Sequence, residues 1–174
     1  IICSKQKARE FTGRPVWVAS STVATMTFED SLPRGLAGPA PSGPSFHTEA
    51  KAAVSRAFER AGLGPQDVSF TELQDNTCYY ELAFPEEWGL CRPGEAEQLV
   101  AAGETVPTGR MPINPSGGFV SFGEATTAMG VFQIAEMTWQ LRGQSGARQV
   151  PGAKVGLAQT LGLGGNATAA ILKR

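Results

Sequence analysis

The sequence predicts an α/β fold, and three observations carry that expectation. β-branched and aromatic runs at 14–20, 68–73, 154–158 and 167–172 read as strands. Segments with helical periodicity separate them. A glycine-rich turn at 114–123 then runs directly into the longest apolar periodic segment of the chain, 126–142. Alternating strands and helices pack as a sheet covered by helices. With 174 residues, 41% apolar and 18% charged, the chain is long enough for one domain with a substantial core.

Taken in order, the start at 1–4 reads as part of a strand, and 15–20 (Pro-Val-Trp-Val-Ala-Ser) as a buried strand inside the sheet. The composition changes at 31–44, which is rich in proline and glycine without periodicity and reads as a loop. Over 45–61 the residues Ala50, Ala53, Val54, Ala57, Phe58 and Ala61 follow the i, i+3, i+4, i+7 pattern of an amphipathic helix, with Gly62 as its left-handed terminator. His47 reads as a solvated residue at the helix start. The turn at 64–67 leads into the strand at 68–73, whose imperfect alternation suits burial on both faces. Next come a loop and helix at 75–88 that Pro85 kinks or ends, and a short helix at 94–103 with an acidic first turn. Thr126 or Thr127 is placed to cap the helix at 126–142. Its apolar residues cover more than one face, which predicts packing between two layers. The last two strands are joined by glycines at 162–166, as in a hairpin.

A net charge of −1 with scattered acids and bases supplies no basic face for nucleic acid. There is no run of ~18 apolar residues to span a membrane, and 1–4 does not read as a leader segment, so none is expected there. The expectation is a soluble cytoplasmic protein. Cys3, Cys78 and Cys91 are unrelated in spacing and His47 is the single histidine, so reduced thiols and no metal site are expected. Cys78 and Cys91 read as buried small apolar residues, and Tyr79 and Tyr80 as packing residues.

Gly117 and Gly118 allow positive φ and close approach of the backbone, and a glycine loop before a helix presents unpaired N–H groups to something anionic. The run Asn114-Pro115-Ser116-Gly117-Gly118, with 72–77 and Gly89-Leu90-Cys91 in the right order around it, resembles the C-terminal half of the thiolase superfamily. The likeness is to the sterol-carrier-type and lipid-transfer-protein-like branch, and it extends over nearly the whole chain. It implies that 1–174 is a thiolase C-terminal-like domain with a mixed, mainly parallel, five-stranded sheet, and that an N-terminal half is missing. It further implies a coenzyme A thioester as substrate with no covalently bound cofactor, a homodimer, and a small zinc-ribbon/OB-fold partner protein.

At three loops the family's usual residues are replaced. Gly-His-Pro reads Gly123-Glu124-Ala125; the His-Asp-Cys of His-Asp-Cys-Phe reads Gln74, Asp75 and Asn76; and a His-Asn or cysteine-bearing loop reads Gln159-Thr160, ahead of Gly164. The tyrosines of steroid side-chain aldolases in this superfamily align with Gln74 and Val131. Cys78 lies two positions beyond the motif cysteine and does not inherit its role. An ionised carboxylate at Glu124 only accepts hydrogen bonds, so it cannot donate to a developing enolate as an imidazole does. It could take a proton from a β-hydroxyl in retro-aldol cleavage. The resemblance thus implies Glu124, Gln74, Asp75 and Asn76 as candidate catalytic residues. Asn114, Ser116, Gly117, Gly118, Gly123, Gln159 and Gly164 are the candidate substrate-binding residues. The expected function is noncanonical, aldolase-type carbon–carbon cleavage on an acyl-CoA. The alternatives are a noncatalytic lipid or acyl-CoA binding subunit, or an acyltransferase whose nucleophilic cysteine lies in the missing half.

Overall fold

The computed structural model describes residues 2–25, 49–162 and 165–174. His47, Gly164 and the loop at 31–44 lie outside them. The elements in order are α1 (Lys5–Phe11), β1 (Trp17–Thr25), α2 (Glu49–Ala61), β2 (Phe70–Glu72), α3 (Cys78–Glu87), α4 (Ala96–Ala101), α5 (Gly118–Phe122), α6 (Met129–Arg142), β3 (Val155–Gly162) and β4 (Asn166–Lys173), with single 3-10 turns at Pro65–Asp67 and Gly146–Arg148.

The four described strands lie in the order β1-β4-β3-β2. β4 pairs antiparallel with both β1 and β3, and β3 pairs parallel with β2. Thus β1, β2 and β3 run the same way and β4 is reversed; the sheet is mixed, with two of its three pairings antiparallel rather than mainly parallel as expected. The expected fifth strand is reduced to a single parallel bridge between Ile113 and Thr71. Pro112 and Pro115 flank that bridge and have no N–H to donate, and Asn114 turns the chain out of extended geometry with φ 45°.

Both faces of the sheet are covered. On one, the alanine-rich stripe of α2 (Ala50, Ala53, Val54, Ala57) packs on Ala24, Leu157, Ala167, Ala169 and Ile171. Small residues on both sides bring helix and sheet close enough for the buried Thr22 hydroxyl to donate to the Ala53 carbonyl at 2.8 Å. On the other face, Met137 and Leu141 of α6 pack against Phe70, Ala158 and Leu172. The result is an α/β/α sandwich whose central layer is the sheet.

Several local expectations change. The start of the chain forms the exposed helix α1 rather than a strand, with Ser4 Oγ accepting from the Lys7 N–H. Strand 14–20 becomes the longer β1, paired with β4 along its length. Pro85 sits near the end of α3, which continues to Glu87, while Gly62 ends α2 as expected, with φ 63°. α6 begins after Ala128 with no side-chain cap, so neither threonine caps it. Its buried face includes Gln133, Glu136 and Gln140, whereas Val131, Phe132 and Trp139 are exposed. Within the described residues it therefore packs on one layer, not two.

Phe70 is 1% exposed and joins β2 to α6. Phe70→Ala should lower unfolding free energy by about 3–5 kcal/mol, and Val131→Ala, on the open face of α6, by no more than about 0.5 kcal/mol. Urea denaturation of the two variants checks this.

Candidate functional site

β2 ends at Glu72, and the following residues meet the loop 114–119 under the sheet's edge. Asn114 is the joint. Its backbone N–H donates to the Thr71 carbonyl at 2.8 Å, its Oδ1 accepts from the Leu73 N–H at 2.8 Å, and its Nδ2 donates to Glu81 Oε1 at 3.0 Å. A side-chain amide supplies both donor and acceptor in one plane, so it can link β2 and α3 across a non-helical turn.

The next four N–H groups all have partners inside the protein. Ser116 N–H donates to Glu72 Oε1 (3.0 Å), Gly117 N–H to the Asn114 carbonyl (2.8 Å), Gly118 N–H to Ser116 Oγ (3.1 Å) and Phe119 N–H to Asp75 Oδ1 (2.7 Å). Ser116 Oγ also donates to Glu72 Oε2 at 2.7 Å. The expected display of unpaired N–H groups is therefore corrected: the protein's own Glu72 and Asp75 carboxylates fill the place of an external anion. The approach is tight. A Cβ on Gly118 would lie 2.0 Å from Asp75 Oδ2, and Gly118 has φ 65°.

Glu72 is 2% exposed. Burial pushes its carboxyl up to about 7 against the hydrogen bonds from Ser116, and the Glu136 and Asp75 carboxylates add to the rise. Burial likewise raises Glu81, opposed by the Asn114 bond. Neither acid was singled out from sequence. The signal was there at position 72: a carboxylate in a strand otherwise read as buried on both faces is either paired or neutral.

A second group joins β2 to β3 and α6. Gln74 Oε1 accepts from the Leu161 N–H at 2.6 Å, and Gln159 Oε1 accepts weakly from the Gln74 N–H at 3.4 Å. Gln133 of α6 donates to the Gln159 carbonyl at 2.8 Å and accepts from Thr160 Oγ1 at 2.5 Å. Gln159 Nε2 is buried with no partner among the described residues. Further along α6, Glu136 pairs with Arg148 at 2.8 Å and accepts from Gln140. A recess of about 240 Å³ opens beside this group, lined by Gly130, Gln133, Ala158 and Thr160 among others.

The structure thus brings together Gln74, Asp75, Asn114, Ser116, Gly117, Gly118 and Gln159. It does not bring in Asn76 or Glu124, which are exposed and enter none of these bonds, on the turn before α3 and just after Gly123 respectively. Cys78 is exposed rather than buried; Cys91 is partly buried, and burial, then Glu86 and Glu95, push its thiol up to about 11. Tyr79 is exposed, whereas Tyr80 stacks on Phe84, and Phe84 on Trp88, along α3. No group of three or more His, Cys, Asp or Glu among the described residues is placed to hold a metal. No described helix is long and apolar enough to cross a membrane.

Residues 43–174 match the family model described as Thiolase C-terminal domain-like. The chain belongs to the thiolase superfamily. Sterol carrier protein 2 of Rattus norvegicus is 46% identical over 123 residues, covering 71% of this chain and 22% of that protein. Acetyl-CoA acetyltransferase of Methanothermobacter thermautotrophicus is 34% identical over 178 residues, covering 100% of this chain and 44% of that one. This member of the superfamily therefore spans less than half the length of these relatives. Among solved structures, the Ltp2-ChsH2(DUF35) aldolase superposes with a TM-score of 0.77 at 26% identity, covering 97% of this chain and 42% of that one. The α/β/α sheet is thus a thiolase-type half-domain, and its branch is the sterol-carrier type.

Two outcomes test this geometry. Gly118→Ala forces a methyl into Asp75 and should destabilise by about 2 kcal/mol or more. Gly123→Ala, with φ 85° but nothing within 4 Å of the added Cβ, should cost only about 1 kcal/mol. The second concerns pH. An acid raised on folding stabilises fully below its unfolded value and loses that contribution as pH rises through its folded value. The Glu72 contribution should disappear between pH 4.5 and about 7, worth on the order of 3 kcal/mol. Urea titrations at pH 5 and 8 should show this fall in the wild type and a flatter profile in Glu72→Gln.

Proposed function

We propose that this domain is the C-terminal half of a degenerate, lipid-transfer-protein-like thiolase relative that acts on acyl-CoA thioesters by aldolase-type carbon–carbon cleavage. The observation that carries the reading is the distribution of titratable groups. Glutamines at 74 and 159 hold their acceptors against backbone N–H groups, and the loop acids are committed to the loop. Glu124 is an exposed carboxylate just beyond α5, in the place where the resemblance sets the family's histidine.

In this mechanism Glu124 takes the proton of a β-hydroxyl group. The Cα–Cβ bond breaks, the β-carbon leaves as an aldehyde or ketone, and the electron pair passes into the thioester as an enolate that is then protonated at Cα. The exposed amide of Asn76 is a neutral donor for the enolate oxygen. Gln74 and Asp75 act through the loops they hold. Asn114, Ser116, Gly117, Gly118, Gly123 and Gln159 would form the wall of the ligand site, with the acyl chain directed to the recess beside Gln133. The aldolase name of the structural neighbour supports this reaction class, and its two-component name supports a partner protein, here proposed as a zinc-ribbon/OB-fold chain. The exposed Val131, Phe132 and Trp139 support packing of α6 against an N-terminal half, within a homodimer of the whole protein.

The raised thiol of Cys91 argues against that residue as a nucleophile. Intact-mass spectrometry of the whole protein with an acyl-CoA and with a β-hydroxyacyl-CoA tests the reading. Aldehyde or ketone release without a covalent adduct is expected, with turnover falling about 10²-fold or more in Glu124→Gln. A stable acyl adduct would instead mean acyl transfer. Ligand retention without turnover in either protein would mean a binding subunit.

A further inference from the structure

Glu72 has no part in the cleavage chemistry, yet it lies enclosed beneath the loop, 2% exposed. Both of its oxygens are engaged by one residue, Oε1 by the Ser116 N–H and Oε2 by the Ser116 hydroxyl. The same hydroxyl oxygen accepts from Gly118 N–H, so one serine couples the buried acid to the turn at 117–118. The charged groups around it are Asp75, in the segment after β2, and Glu136 of α6, with the Arg148 cation held by Glu136. β3, which runs beside Glu72, has no titratable side chain. Two acids and one already paired cation surround a carboxyl shut off from water, which disfavours its charge.

We propose that Glu72 and Ser116 form a proton-coupled latch: ionised Glu72 turns the Ser116 hydroxyl inward, and protonated Glu72 reverses that hydrogen bond and frees the hydroxyl to donate outward. When one proton from solvent binds Oε2, the new O–H donates to Ser116 Oγ. That oxygen has two lone pairs, so it accepts from Glu72 and from Gly118 together. The serine hydrogen formerly directed at Glu72 is released to point at a ligand oxygen, such as a thioester carbonyl. Oε1 remains an acceptor for the Ser116 N–H, so the loop keeps its backbone tether in both states. One proton enters, none leaves, and no covalent bond to carbon changes. The latch rests on loop geometry and holds whether the domain cleaves its ligand or only binds it. Ligands with an acceptor carbonyl would therefore bind with proton uptake.

Amide NMR of the whole protein from pH 5.5 to 8.5 tests it without any ligand. The Ser116 and Gly118 resonances should titrate together with a midpoint near that of Glu72, about 7, and should be flat in Glu72→Gln. Should that variant fail to fold, Ser116→Ala provides the second measurement. Loss of the hydroxyl bond that lowers Glu72 should move the midpoint of its carboxyl carbon upward by about half a unit or more. Flat Ser116 and Gly118 resonances in folded wild type, a titration that survives Glu72→Gln, or an unmoved carboxyl midpoint in Ser116→Ala would each overturn the latch.

Discussion

The hold of two buried acids on one glycine turn governs the geometry of this domain's functional edge. Glu72 and Asp75 leave β2 three residues apart and each takes an N–H from the loop 114–119, while Asn114 fixes the two peptide segments in register. The loop has no room for a side chain at position 118 because a carboxylate lies where its Cβ would be. A buried carboxylate without donors would be strongly unfavourable, and so would the Ser116 and Phe119 N–H groups without acceptors. Each resolves the other. The parallel bridge at Ile113 and the start of α5 are therefore consequences of one mutual satisfaction of polar groups.

The resemblance sets histidine at the places of Gln74 and Glu124, and a His-Asn or cysteine-bearing loop at the place of Gln159-Thr160. An amide keeps the hydrogen-bonding capacity of a neutral imidazole but cannot change charge near neutral pH. Gln74 and Gln159 accordingly act as struts between β2 and β3. Titration near neutrality is moved instead to an acid one turn away, held under the loop by desolvation. The replacement changes where protons can be stored more than it changes the shape of the site.

Much of this was legible in the chain. The i, i+3, i+4 alanines of α2, the left-handed Gly62 and the hairpin between β3 and β4 follow from local periodicity and turn chemistry, which act over a few residues. The need for glycine at 117 and 118 was legible too, but its cause was not. Sequence suggested glycines that open the loop to a ligand; the structure has glycines that let two internal acids close on it. That partner choice depends on a contact 44 residues away in sequence, beyond any local pattern. Helix α5 and the uncapped start of α6 were missed because Gly118 and Ala128 are poor signals for helix starts; in α5 the distant bond from Phe119 N–H to Asp75 holds the first turn.

Helix α6 joins the two halves of this reasoning. Its inner face is partly polar, with Gln133, Glu136 and Gln140 each hydrogen-bonded to β3 or to the segment leading into it, or to one another. Its outer face carries Val131, Phe132 and Trp139, and Phe132 meets Phe122 edge to face across from α5. This departs from the usual surface helix, in which polar residues face water: the inner face mixes these polar groups with the buried Met129, Met137 and Leu141, while apolar residues stand on the outer face. Hydrophobic periodicity alone therefore read it as buried on two sides. The polar inner face is stable because Gln133, Glu136 and Gln140 each end on a partner, whereas the aromatic outer face gains little until something apolar covers it. One turn of α6 thus carries both faces: Phe132 is exposed, and its neighbour Gln133 holds the strand that carries Gln159.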